Sequence, residues 1–274
     1  MLNEIFGTEV ITSKTNSTIV KIGKLSNKKY RNEEKLFICD GKKLLLEAIE
    51  FGSNIKYIVL KNDVAIDPEL IIKMKKCAEN GTNILCVTEQ VFSKLTEENA
   101  PQGIIAVCEY LRDLHFYSTI VKNINSDEKI IMLESVRDPG NIGTIIRNAA
   151  AFGVDRLVLS SDCADIYSQK VIRAAMGAIF KVKIDIVDDF VGTIKSLKKC
   201  GKRVLSATLG KNSLILGKIE LSSQDVIVVG NEGHGISDEV IEASDETIFI
   251  PMCENTESLN AAIASSIFMW ELYK

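Results

Sequence analysis

Short runs rich in β-branched residues recur through the second half of the sequence: KIIMLES, RLVLS, KVKIDIV, KRVLSAT, DVIVVGNE and TIFI. Most of them are separated by segments whose apolar residues repeat at helical spacing, such as NIGTIIRNAAAFG, SQKVIRAAMGAIF and VGTIKSLKKCG. Apolar runs of this length read as strands buried on both faces, and their alternation with helices implies a mostly parallel sheet covered on both sides. In such a sheet, ligands bind at the carboxyl ends of the strands. The polar joins after the strands are therefore where function is expected.

The first half carries a smaller version of the same pattern. LFIC, KYIVL, NILCV and GIIAVCEYL read as strands. Between them, KKLLLEAIEFG is a helix closed by Gly52, and DPELIIKMKKCAENG is one with Pro68 in its first turn and Gly81 at its end. Asn16 or Ser17 caps a short helix that runs to Leu25. The expected organisation is an α/β domain over residues 1–112, a linker over 113–128, and a second α/β domain over 129–274.

Composition excludes several classes. Apolar residues make up 46% and charged residues 26% of the 274, an ordinary globular balance. No apolar run approaches the roughly 18 residues needed to span a bilayer, and the N-terminal MLNEIFGTEVITSK has no signal-peptide pattern. The seven cysteines are scattered, with no C-x-x-C pair, which fits a reducing cytoplasm, and with two histidines a metal centre is not expected. Net charge is −4, yet Lys14 to Lys43 holds nine Lys or Arg against three acids. On charge alone a solvated helix face accounts for that excess, and the alternative is a phosphate-binding surface with Lys28, Lys29, Arg31 and Lys42 as its candidate contacts.

Three joins concentrate polar residues: LESVRDPGNIGTIIR, VVGNEGHGIS and IPMCENTESLN. Turn chemistry alone accounts for any one of them, since Gly and Asn supply positive φ and Ser258 stands where a helix N-cap belongs. Behind Ser258, Leu259, Ala262, Ile263, Ile267 and Trp270 recur at helical spacing and define an apolar face expected to pack. A nucleotide-dependent oxidoreductase is disfavoured. Gly230, Gly233 and Gly235 do not fit G-x-G-x-x-G, and Gly140 with Gly143 lacks a third glycine.

In order along the chain, DPGNIGTIIRNAAAFGVD, VVGNEGHGIS and IPMCENTESLNAAIAS resemble the three motifs of the SpoU/TrmH family of RNA 2′-O-ribose methyltransferases, within the SPOUT superfamily. SKTNSTIVKIGKLSNKKYRNEEKLFICDGKKLLLEAI is similar to that family's N-terminal substrate-binding domain, with Asp40 where an acid–glycine pair usually begins with Glu. The resemblance implies a C-terminal domain tied into a deep trefoil knot, a homodimer, and S-adenosylmethionine as methyl donor. Its substrate would be structured RNA, rRNA (23S) ahead of tRNA, and the reaction methylation of a ribose 2′-hydroxyl. A non-catalytic RNA-binding protein of the same fold is the alternative.

By motif match, the donor pocket is built from Thr208, Leu209, Gly210, Gly230, Ile250 and Leu259. The catalytic set is Arg147, Asn141, Glu232, Ser258 and Asn260. The family places its essential arginine at Arg147. A guanidinium stays charged in proteins and is a poor base, so its expected work is to clamp phosphate or stabilise the developing alkoxide. Glu232 is expected to orient the hydroxyl or Arg147, and the remaining polar residues to hold loops or contact the substrate.

Overall fold

The computed structural model describes residues 1–111, 124–210, 212–231, 233–253 and 258–274, with residues 116–118 described by backbone only. Its contacts divide the chain into two compact units: residues 1–111 with 165–180, and residues 112–164 with 181–274.

Unit 1 contains α1 (Leu2–Phe6), β1 (Val10–Ile11), α2 (Ser17–Lys24), α3 (Lys28–Glu34), β2 (Leu36–Asp40), α4 (Lys42–Glu50), β3 (Ile55–Lys61), α5 (Pro68–Glu79), β4 (Asn83–Val87), α6 (Glu89–Phe92) and β5 (Ile104–Glu109). The five strands form one sheet in the order β1-β4-β3-β5-β2, with β5 antiparallel to both neighbours. Local chemistry explains the ends. Asn16 accepts from the Thr18 and Ile19 amides and starts α2, while Asp67 caps α5 just before Pro68. Ile19 and Ile22 on α2, and Leu25 just after it, pack with Ile38, Val59 and Phe92 in this unit's core.

Unit 2 contains β6 (Phe116–Ser118), β7 (Ile130–Leu133), α7 (Pro139–Ala151) and β8 (Arg156–Ser160). After α8 (Gln169–Ala175), which belongs to unit 1, come β9 (Lys183–Val187), α9 (Phe190–Lys199), β10 (Arg203–Ala207), β11 (Leu214–Ile215), β12 (Asp225–Val229), α10 (Asp238–Ala243), β13 (Glu246–Phe249) and α11 (Ala261–Tyr273). Eight strands lie in the order β11-β13-β10-β12-β7-β8-β9-β6, and every pairing among them is parallel. All residues of β7, β8 and β12 are buried, as a sheet covered on both faces demands. The order reverses at β7, whose neighbours β8 and β12 lie far apart in sequence. A ligand crevice is expected at such a reversal.

Three features depart from the sequence reading. The segment 165–180 was expected to cross over within the second domain but clusters with unit 1. Within that unit, Tyr167 stacks on Tyr110 at 4.0 Å and lies 4.6 Å from Phe37, and Asp165 pairs with Arg31 at 2.6 Å. Strand β6 lies inside the span expected to be linker. On α11 the buried face is Ala261, Ala262, Ser265, Phe268, Met269 and Leu272 rather than the stripe through Ile263 and Trp270, which are 54% and 47% exposed. The helix is apolar all round, so spacing alone could not tell which stripe faces the sheet.

The end of the sheet opposite the crevice is held by charge. Arg156 opens β8 and donates to Asp185 and Glu128, with all three side chains no more than 6% exposed. Lys202 donates to the carbonyls of Ser126, Glu128 and Ser223 at 2.6–2.8 Å. Burial pushes its pKa down.

Candidate active site

The loops after β7, β10, β12 and β13 all leave the carboxyl rim of the parallel sheet. Those after β7 and β12 are held by side-chain hydrogen bonds. After β12, the Asn231 amide and carbonyl pair with those of Gly235. The Asn231 side-chain oxygen accepts from the Gly233 and His234 amides, and its Nδ2 donates to the Ser135 carbonyl at 2.8 Å. The first join thus holds the second. A further tie comes from Glu134, whose carboxylate accepts from both the amide and the hydroxyl of Ser237, at 3.0 and 2.6 Å.

The first join is itself under constraint. Ser135 sits at φ 55, a conformation L residues seldom adopt. Its amide donates to Ser160 Oγ and its hydroxyl to Asp162. Burial raises the Asp162 pKa, but hydrogen bonds from Ser135, Ser160 and Arg137 outweigh that and hold the carboxyl at about 2. It is therefore an anion throughout the physiological range and anchors Arg137, 2.9 Å away.

Between these loops and α11 lies a cavity of about 430 Å³. Thr208, Leu209, Gly230, Ile250 and Leu259 line it, together with Ser258. Gly210, next along the chain, is not among the lining residues. Met252, Phe249 and Phe268 add apolar wall that the sequence reading missed; Phe268 is 1% exposed and reaches the cavity from α11. The floor at Gly230 is tight. A Cβ built there would lie 2.4 Å from the Gly235 carbonyl oxygen and 2.7 Å from Ile236 Cγ1.

The expected catalytic residues divide. Asp138 caps α7 by accepting from the Asn141 amide, and Asn141 Oδ1 accepts from Asn260 Nδ2 at 3.0 Å. Asn260, not Ser258, is the N-cap of α11 and accepts from the Ala262 and Ile263 amides. Both residues are good caps, and the helix begins at Ala261, two positions later than the apolar pattern suggested. Ser258 is exposed on the cavity wall. About two turns along from the first tie, Asn148 Nδ2 donates to Ser266 Oγ at 2.6 Å, so α7 and α11 are bound side by side. Arg147, beside Asn148 on α7, is exposed and forms no ion pair with a described residue. Glu232 lies outside the described residues.

The expected RNA contacts in unit 1 are reshaped more strongly. Arg31 is 4% exposed, and its guanidinium donates to Asp165 and to the carbonyls of Leu25 and Ser26. With its donors committed inside the unit, Arg31 is a structural residue and not a phosphate contact. Lys42 pairs with Asp67 at 2.5 Å, and Lys29 stands 4.0 Å from Glu33. Lys28 is exposed.

The parallel sheet with a crevice at its carboxyl rim defines an α/β ligand-binding fold, and comparison with known proteins gives the family. Residues 128–270 match the model of the SpoU rRNA Methylase family, and residues 16–106 match the MRM3-like substrate binding domain. The 23S rRNA (guanosine(2553)-2′-O)-methyltransferase RlmP of Bacillus subtilis is 30% identical over 262 residues, covering 96% of this chain and 98% of that protein. The crystal structure of AdoMet-bound rRNA methyltransferase from Sinorhizobium meliloti superposes with a TM-score of 0.84 at 31% identity, covering 96% of each chain. The SpoU methyltransferase AviRb from Streptomyces viridochromogenes, in complex with AdoMet, shares the fold with a TM-score of 0.78 at 21% identity, over 94% of this chain and 97% of that one. The chain belongs to the SpoU rRNA methylase family. It is an RNA methyltransferase that uses S-adenosylmethionine. The cavity suits that donor: an apolar wall for the base, backbone at Thr208 and Leu209 for polar edges, and a glycine floor too close for any side chain.

Proposed function

We propose that this chain methylates a ribose 2′-hydroxyl of 23S rRNA in the cytoplasm, with residues 1–112 gripping the RNA and residues 129–274 carrying out the transfer. S-adenosylmethionine supplies an electrophilic methyl group on sulfur. The protein's share is position and charge, which for an in-line displacement accounts for much of the acceleration.

The observation that carries this reading is the tie between cavity wall and arginine helix. α11 lines the donor cavity through Ala261, Ala264 and Phe268. The Asn260–Asn141 and Asn148–Ser266 hydrogen bonds fix α7 against it. Arg147 is therefore carried on a helix registered to the cavity, with its donors unclaimed by any described acid. Its role is to hold a phosphate or the oxygen that loses its proton, in a fork geometry that lysine lacks. Ser258 on the wall and Glu232 complete the proposed polar set.

A non-catalytic RNA-binding protein would not require the cramped floor at Gly230, and the likeness over 96% of the chain to an enzyme of 23S rRNA favours rRNA over tRNA. Self-association belongs to the same proposal. Ile263, Trp270 and Tyr273 leave an apolar strip of α11 exposed, and Phe152 packs edge-on to Trp270 at 5.9 Å. Such a strip fits a second copy of the chain, and sedimentation at twice the 30.3 kDa chain mass is its observable. The deep trefoil knot implied by the resemblance is part of the reading as well.

Replacing Arg147 with Ala tests the assignment. Removing a preorganised donor to developing charge lowers kcat by about 10²–10³-fold, while the affinity for S-adenosylmethionine stays unchanged. Undiminished turnover by the folded variant would remove Arg147 from the reaction.

A further inference from the structure

The basic stretch of unit 1 does not present all of its cations. Lys21 pairs with Glu34 at 2.7 Å, Lys42 with Asp67, and Arg31 with Asp165. Two of its other lysines meet a third from elsewhere in the sequence. Lys14 before α2, Lys24 at the end of α2, and Lys94 after α6 line one cleft of about 410 Å³ with Tyr30. Its floor is Ile19, Val20 and Leu95, and no acid is among the lining residues. None of the three lysines forms an ion pair with a described residue. Lys24 instead lies over the Tyr30 ring, 5.2 Å from its centroid.

Three ammonium groups around one cavity repel each other, and an anion entering the cleft relieves that repulsion. The apolar floor and the half-buried ring call for more than an anion, because a bare phosphate gains nothing from Ile19, Val20 or Tyr30. A nucleotide satisfies both halves of the cleft. Unpaired RNA bases stack on aromatic side chains, with lysines tracking the backbone phosphates. A second, smaller hollow of about 200 Å³ shares Val20, Lys24 and Tyr30, so the ring stands between two spaces.

Resting on the reading of the chain as an RNA methyltransferase, we propose that this cleft receives an unpaired nucleotide of the RNA substrate, its base against Tyr30 and its phosphates among Lys14, Lys24 and Lys94. This moves the RNA contact away from Arg31 and Lys42, which face acids of their own unit.

The experiment measures binding of the full chain to a 23S rRNA transcript over a range of salt concentrations. In the K14Q/K24Q/K94Q variant, the slope of log affinity against log salt should become shallower by about 2, since each contact to single-stranded phosphate contributes about 0.7. Tyr30→Ala should bind about 5- to 150-fold more weakly, the range for loss of one stacked base, while Tyr30→Phe retains most of the affinity. A K56Q/K75Q/K76Q control removes the same charge from β3 and α5 and should bind like the wild type. If the wild type binds the transcript and the cleft variant matches the control in affinity and slope, the cleft is not the site, though the enzymatic reading stands. A wild type with no affinity for the transcript would sink both.

Discussion

Gly230→Ala should lose at least about 100-fold in affinity for S-adenosylmethionine, because the added methyl has no space. Its nearest neighbours would be the Gly235 carbonyl oxygen at 2.4 Å and carbon at 2.5 Å, which are backbone and cannot rotate away. Gly235 is held in turn by paired hydrogen bonds with Asn231, and Asn231 by the Ser135 carbonyl. The whole loop must shift, and a displacement near 1 Å in a positioning element costs on the order of 10²-fold in turnover as well. Overpacking adds about 1–3 kcal/mol of destabilisation. Gly233→Ala is the matched control. Its Cβ would meet only Asn231 Oδ1 at 3.4 Å, an ordinary contact. Calorimetry with the donor separates the two, and equal affinities would mean that the floor is not where the donor rests.

The second large effect lies at the other end of the sheet. Arg156→Ala would leave Glu128 and Asp185, 3% and 1% exposed, as buried carboxylates without their cation. Breaking a buried pair from one side costs about 3–5 kcal/mol. For a protein of this size that is a fall in Tm of about 10 °C or more. Lys183, 3.3 Å from Glu128 and half-exposed, offsets only part of the loss. Double replacement, Arg156→Met with Asp185→Leu, removes both charges of the tighter pair and should recover part of the stability, with Glu128 left to Lys183 alone. Urea unfolding of both variants decides the matter. A single variant as stable as the wild type would show that the cluster is solvated. S-adenosylmethionine affinity at 25 °C should change little, since the cluster lies at the opposite rim from the cavity.

The sequence disclosed the elements that follow from local chemistry. β-branched runs became buried strands, Asn16, one of two candidate caps, opened α2, Pro68 stood in the first turn of α5, and the three polar joins came to one rim of a parallel sheet. Choices between equivalent local signals were not legible. Ser258 and Asn260 are both competent caps, and only packing of α11 selected the second. Ile263 and Phe268 are both large and apolar, yet one is exposed and the other buried, because tertiary contacts choose the stripe. Arg31 read as a cation in a basic run. Its partner, Asp165, is 134 residues away, and no local pattern announces an ion pair of that separation. The Glu134–Ser237 tie, 103 residues apart, was hidden for the same reason. Of the donor cavity, the glycine and the loop residues were visible through motif resemblance, whereas Phe268 and Met252 carry no mark beyond being apolar.

The most direct test of the account incubates the protein with a 23S rRNA transcript and S-adenosylmethionine labelled in its methyl group, then hydrolyses the RNA in alkali. A methyl on the 2′-oxygen blocks cleavage of the adjacent phosphodiester, so the label should appear in an alkali-stable dinucleotide. Label recovered in mononucleotides would place the methyl on a base, and unlabelled RNA would deny the transfer; either result contradicts the function assigned to the crevice.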